Sequence, residues 1–227
     1  MTVNFTTWKG ITDGQRYDIP DSALTQKANH YWPFDEGSGS TVHDNIGEEN
    51  GDISGPTWES GVGFGNAYLD FDGVDDIITY PQLIDGSSVV ISTWCIHDGS
   101  SGQYLTHQDV ADGVILWTGT GDDEWNLTAG GESMGSVAAP VIDEWVMVTA
   151  VVDGDTVELY HNDGNLIGDD TSGRSYNFSG SFEIGDRSTD NDRPWESAID
   201  QPLVILGDTV TASEIEDHYN ETKDLYE

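Results

Sequence analysis

Along residues 29–227, apolar side chains come in short runs or alternate with polar ones, and Gly, Asp and Asn interrupt them. The interruptions fall roughly every ten residues, the spacing of a β-sandwich or barrel. The clearest expected strands are "HYWPF", "NAYLDF", "DIITY", "SVVISTWCIH", "GVILWTG", "EWNLTAG", "EWVMVTAVVD", "TVELYHN" and "IDQPLVIL". Asp153-Gly154 is the expected hairpin turn within "VVDGDTVELY", and Asp163-Gly164 turns the chain again. One segment reads as helix: in "TVTASEIEDHYNETKDLY", Thr211 caps the start and Glu214 completes a capping box. Ile215 and Tyr219 then share one face.

Residues 1–28 have little period and carry two of the three lysines. They read either as an arm docking on a partner or as an edge strand and loop of the same domain. The expected division is a docking segment over 1–28 and one large β domain over 29–227, since the length suits one two-sheet sandwich.

Charge changes the picture of where such a domain works. The chain has 43 acidic residues against seven basic ones, a formal charge of −36 spread along its length. With eight Trp, nine Tyr and six Phe it is a folding sequence and not a solvating tail. Self-repulsion of this size opposes compaction in dilute buffer, and molar salt, with a Debye length of about 3 Å, screens it. A halophilic, high-salt setting is therefore expected. The same field disfavours nucleic acid as a partner. No apolar run is long enough for membrane insertion, and the N-terminus shows no basic region followed by an apolar core, hence no export signal. The lone Cys95, within an expected strand, reads as a small buried hydrophobe.

Several pieces occur in a recognisable order. "HYWPFDEGSGSTVHDNIGEENGDISGPTWESGVGFGNAYLDFDGVDDIITYP" resembles the opening of laminin-G-like, concanavalin A-like lectin domains, with an aromatic strand, F-x-E-G-S-G and a G-x-x-L-x-F-D-G-x-D-D segment. "VVISTWCIH", "EWVMVTAVVDGDTVELYHNDGNLIG", "FEIGDR" and "AIDQPLVILGDTVTASEIEDHY" follow in the family's order. The resemblance spans about residues 29–221. It implies an all-β, two-sheet antiparallel jelly roll with a short C-terminal helix, used mainly to bind glycans or protein ligands, often with calcium.

The aspartates of "LDFDGVDDIITY" acquire a meaning from that resemblance. Calcium takes six to eight oxygen ligands, so carboxylates clustered on loops suit it. The pentraxins, relatives with the same jelly roll, place adjacent ligands at the start of the strand similar to "DDIITY" and more in the loop similar to "FEIGDRSTDND". Carried over, the implied metal ligands are Asp75, Asp76, Asp186 and Asp190. Arg187, inside that loop, departs from the pattern and could occupy the ion's place. A second site would join Asp35 or Glu36 to Asp200. The plainer reading is that these are turn residues of an acidic chain, with Asp70 and Asp72 alternating outward between Leu69 and Phe71.

Catalysis is not expected. Laminarinase-like members of the fold carry E-x-D-x-x-E on one strand, where period two aims all three acids at the substrate. No expected strand here has it, and no His spacing suits zinc. Sugar binding would use aromatic faces near loops, which singles out Tyr104, Trp117, Trp125 and Trp195, with His107 beside them. Sequons at Asn4, Asn126, Asn177 and Asn220 add weight to an exterior location. The expected role is a non-catalytic adhesion domain that recognises glycans or glycoproteins of a host surface. Turret, decoration or tail protein of a haloarchaeal virus is the favoured setting, homo-oligomeric and joined to other virion proteins through residues 1–28. A secreted or cell-surface haloarchaeal lectin, and less so a glycoside hydrolase, are the alternatives.

Overall fold

The computed structural model describes residues 19–81, 83, 86–108, 113–119, 124–134, 141–171, 180–188 and 192–227. Among these residues the chain forms two antiparallel sheets of eight strands each. The back sheet runs, edge to edge, Asn165–Asp170, Thr156–His161, Trp145–Asp153, Ser88–Ile96, Glu196–Leu206, Ala67–Asp72 and Thr57–Ser60, with His30–Tyr31 added against Glu196–Leu206. The front sheet runs Glu132–Ser133, Trp125–Ala129, Val114–Thr118, Tyr104–Gln108, Phe182–Ile184, Ile77–Tyr80, Gly51–Ser54 and Thr41–Val42.

The sheets face each other across one apolar core. Trp32, Phe71, Val89, Ile91 and Val148 of the back half meet Tyr80, Leu116, Leu127 and Phe182 of the front. Strand alternation supplies that layer: in Ala67–Asp72, Ala67, Leu69 and Phe71 are buried while Asp72 is exposed. This is the expected all-β sandwich with one helix of any length.

The two sheets differ in what covers their outer faces. The central back strands Ser88–Ile96 and Trp145–Asp153 are buried on both sides. Their second face carries Val90, Trp94, Met147 and Val151, closed over by Leu24, Val210 and Ile215. Leu24 belongs to helix α1 (Ala23–Lys27), and Ile215 to helix α2 (Ala212–Thr222). The α2 capping box forms as expected, Thr211 Oγ1 accepting from Glu214 N while Glu214 Oε2 accepts from Thr211 N. Ser22 Oγ bonds His218 Nδ1 at 2.7 Å and Lys27 pairs with Glu214 at 2.7 Å, clasping α1 to α2.

That clasp sets residues 19–28 against the back of the sandwich. Residues 19–28 are part of the sandwich's own cap, because Leu24 has an apolar layer to bury in; residues 1–18 lie outside the described residues. The hairpin turn also moves by one: Asp153 pairs with Thr156, so Gly154 and Asp155 form the bend, with Gly154 at φ 55°. Cys95 is buried in the core. Among the described residues no helix is long and apolar enough to cross a membrane.

Candidate functional site

Among the described residues no helix covers the outer face of the front sheet, and register defines what stands there. One row crosses the strands as Asp52, Thr79, Glu183, His107, Ile115 and Thr128. The neighbouring row is Tyr104, Trp117 and Asn126. Three expected ligand-binding residues, Tyr104, His107 and Trp117, are thus brought together, with Tyr104 5.3 Å from His107 and 6.3 Å from Trp117 between ring centroids.

Their surroundings are not those of a bare aromatic platform. The turn after Phe182–Ile184 folds back over them, so that Arg187 and Arg193 each place a guanidinium 5.5 Å from the Tyr104 ring centre. Arg193 also lies 5.4 Å from the Trp117 ring. Tyr104 and His107 are consequently buried at 7% and 3% exposure, while Trp117 is half-buried. His107 Nδ1 bonds Glu183 at 3.2 Å, and Ser188 N donates to the same carboxylate. Burial alone would raise the Glu183 carboxyl, but these bonds together hold it below the usual carboxylate range. A general acid needs the opposite displacement.

Trp125 and Trp195 leave the set of expected ligand contacts. Both are 0% exposed and stack on each other at 6.1 Å and 17°, with His97 packed against both. Each ring projects inward from its strand or turn and fills the sandwich, so neither offers a face to a ligand. Asn126 is also buried, which removes that sequon from glycosylation, whereas Asn220 is exposed on α2.

The expected metal ligands fall at the end of the sandwich near the same turn. Ile184 pairs with Ile78, so the chain after Ile184 runs beside the chain before Ile77 and brings Asp186 toward Asp76. A Cβ on Gly185 would lie 3.0 Å from the Asp76 carbonyl oxygen, which shows how close the two segments run. Asp72, Asp75 and Asp76 present carboxylate oxygens all within 4.8 Å of one another. Asp72 is the member the sequence reading left out, because alternation assigned it to solvent. Asp76 Oδ2 accepts from Asp72 N at 2.8 Å and Asp72 Oδ1 from Val74 N at 2.9 Å, so two of the acids also hold the turn. Burial first, then Asp72, Asp75 and Asp70, push the Asp76 carboxyl upward. Asp186 is buried and accepts from Arg193 N. Arg187 pairs with Asp192 at 3.2 Å. Asp190 lies outside the described residues.

The second set is also drawn together. The loop through Gly63 and Gly65 runs over both acids: a Cβ on Gly63 would meet Asp200 Oδ2 at 2.3 Å, and one on Gly65 would meet Asp35 Cβ at 2.4 Å. Asp35 Oδ1 and Glu36 Oε2 are buried without a hydrogen-bond partner. Burial, and then Glu36, push the Asp35 carboxyl up to about 7. Both sets offer hard oxygen donors alone, and the three convergent carboxylates at Asp72–Asp76 would supply about half of calcium's shell. The residues present fit that ion.

A further recess was not foreseen. Trp94, Trp145, Tyr219 and Tyr226 line a cleft of about 380 Å³ on the back, with Asp143 and Lys223 at its walls. Trp94 and Tyr226 stack at 4.3 Å. Trp94 and Trp145 stand on adjacent back strands, and the chain from α2 to Tyr226 crosses them to make the wall.

Comparisons with known proteins agree with this architecture. Domain 4 of AbnA, a GH43 extracellular arabinanase from Geobacillus stearothermophilus, solved in complex with arabinotriose, superposes with a TM-score of 0.68 at 18% identity, covering 88% of this chain and 98% of that one. The Trypanosoma rangeli sialidase in complex with sialic acid gives 0.68 at 14% identity over 96% of this chain but 36% of its own. The botulinum neurotoxin type G receptor binding domain gives 0.64 at 15%, over 86% and 51%. A search of curated protein sequences finds no match. At these identities the likeness is one of fold. The sequence profile of the concanavalin A-like lectin/glucanases superfamily matches residues 71–216, well over half the chain, and the protein therefore belongs to that superfamily.

Proposed function

We propose that this is a non-catalytic glycan-binding domain that uses the outer face of its front sheet. The observation that carries the reading is the contrast between the sheets: among the described residues the back sheet is closed by α1 and α2, while the front sheet carries Asp52, Thr79, Trp117 and Thr128 outward with no helix over them. Such a surface combines an aromatic edge with hydroxyl and carboxylate groups, which suits saccharide recognition. The arabinotriose complex of the AbnA domain is consistent with it, since that domain matches this chain almost end to end. Binding is favoured over hydrolysis because Glu183, tied to His107 and Ser188 and held below the usual carboxylate range, is displaced away from what a general acid needs. Calcium at Asp72, Asp75 and Asp76, next to the Asp186 turn, would brace the loops that border this face. Display on the outside of a cell or virion in brine belongs to the same reading, supported by the charge of −36.

The test is a glycan array probed with the full chain in concentrated KCl with calcium present, repeated with Trp117→Ala and Trp145→Ala. Binding lost in Trp117→Ala alone supports the front face. Loss in Trp145→Ala alone moves the site to the back cleft. Turnover of any bound oligosaccharide, followed chromatographically, would overturn the non-catalytic assignment.

A further inference from the structure

The cations of this protein are few and unevenly used. Seven basic residues stand against 43 acids, and two of them, Arg187 and Arg193, converge on the one aromatic group of the front face. Lys27 is committed to Glu214, and Lys223 lies over Tyr219 while bonding Asn220. Arg187 is bonded to Asp192, a side chain about half exposed. Arg193 has no ion-pair partner among the described residues.

Among the described residues Arg187 is ion-paired and Arg193 is not, although carboxylates are abundant in the chain. The nearby acids are otherwise engaged: Glu183 accepts from His107 and Ser188, and Asp186 accepts the backbone N–H of Arg193 and not its side chain. The Tyr104 and Trp117 rings hold the guanidinium by cation–π contact, and Arg193 remains only part-buried. A planar fork of donors, oriented and desolvated on one side, matches a carboxylate or sulfate. The Tyr104 ring, which a neutral sugar would stack on, is covered by the two guanidiniums.

We propose that Arg187 and Arg193, set over the Tyr104 ring, select saccharides bearing an anionic group, a carboxylate or a sulfate, over neutral ones. This rests on the glycan-binding reading and names its ligand class. Arg193 takes the anionic group, Arg187 adds positive charge beside it from its place over Tyr104, and the half-buried Trp117 edge supports the ring that carries it. The long-range field of the protein repels such a ligand. Contact hydrogen bonds survive added salt better than repulsion acting over tens of ångströms does. Affinity is therefore expected to rise with KCl, the reverse of ordinary charge attraction.

The experiment probes the full chain, in about 0.2 and 2 M KCl, with glucuronate-, galacturonate- and sulfate-bearing oligosaccharides, each beside its neutral counterpart. The expected result is a preference of tenfold or more for one anionic class, lost in Arg193→Ala and partly kept in Arg193→Lys, with circular dichroism unchanged. The uronate and sulfate arms tell which anion is read. Neutral members bound equally well, or a preference untouched by both Arg193 variants and by Arg187→Ala, would overturn the inference and leave the glycan reading standing. No binding across the whole panel, neutral members included, would sink the glycan reading and this inference with it. If Arg193→Ala fails to fold, competition of the wild-type chain by free glucuronic acid against glucose gives the same decision: equal inhibition refutes selection for the anion.

Discussion

Gly185 ties the candidate metal turn to the core through two atoms. At φ +94° it occupies a backbone region that L side chains rarely adopt, and an added Cβ would lie 2.3 Å from Phe71 Cε1 and 3.0 Å from the Asp76 carbonyl. Neither neighbour yields cheaply, since Phe71 is fixed in the core and the second is backbone. Gly185→Ala is expected to destabilise by roughly 2–4 kcal/mol, from overpacking and the left-handed backbone together, as read by denaturant titration at fixed salt. A loss below about 0.5 kcal/mol, the scale of an ordinary surface change, would mean the turn is looser than drawn. His218 gives a pH prediction. Burial lowers it from 6.5 to about 4 while its Nδ1 bonds Ser22. A depressed histidine is protonated first in the unfolded chain, so its contribution is intact above pH 6.5 and is lost as the pH falls toward 4. That interval is worth roughly 3 kcal/mol at about 1.4 kcal/mol per pKa unit. His218→Gln should flatten the stability profile over this window relative to wild type; parallel profiles would refute the assignment. What was hidden at this scale is which acids are structural. Asp44 is buried and accepts from the backbone N–H groups of Tyr31, Ile46, Gly47 and Glu49, yet in sequence it is one of 43 acids.

Elements announced themselves where one physical constraint dominated. Strands Ala67–Asp72 and Thr156–His161 show period two because one face is wet, and the capping box marked the start of α2. The short front strands Gly51–Ser54, Tyr104–Gln108 and Phe182–Ile184 did not. Gly51–Ser54 is too polar to stand out. Tyr104–Gln108 is buried on both faces, with the core on one and Arg187 and Arg193 over Tyr104 on the other, which removes its alternation. His107, expected beside a loop, lies within the strand itself. The Asp75–Asp76 neighbourhood was legible through the order of the family's segments; the inclusion of Asp72 needed the turn. If calcium is held there, adding it to chelated protein should raise Tm by several degrees, and magnesium, which resists such an irregular shell, should not. Asp75→Ala with Asp76→Ala should abolish the increment and Asp200→Asn should leave it. The reverse pattern would place the ion under the Gly63–Gly65 loop, and no increment in any variant would reduce both sets to turn and loop acids.

For the whole molecule the dominant quantity is −36 elementary charges on a sandwich whose core is ordinary in composition. Pairing inside the chain does little to offset this. Among the described residues the ion pairs of permanently charged bases are Lys27–Glu214 and Arg187–Asp192, both partly exposed and of the kind worth about 0–1 kcal/mol. Repulsion among the remaining carboxylates must then be carried by the solvent. At 0.1 M salt the Debye length of about 10 Å lets charges on neighbouring strands and loops act on each other; near 1 M it shrinks to about 3 Å and most of that repulsion disappears. Tm is expected to climb steeply over this range of KCl, and the climb should shrink when ten exposed Asp and Glu remote from both acid clusters are exchanged for Asn and Gln. Equal melting of the two proteins in dilute buffer, or a Tm indifferent to KCl, would show that the acidic surface does not set stability and would remove the main support for a high-salt habitat. A climb that survives the exchange undiminished would point to ion binding at particular sites, and replacing KCl by an equal ionic strength of tetramethylammonium chloride should then fail to reproduce it.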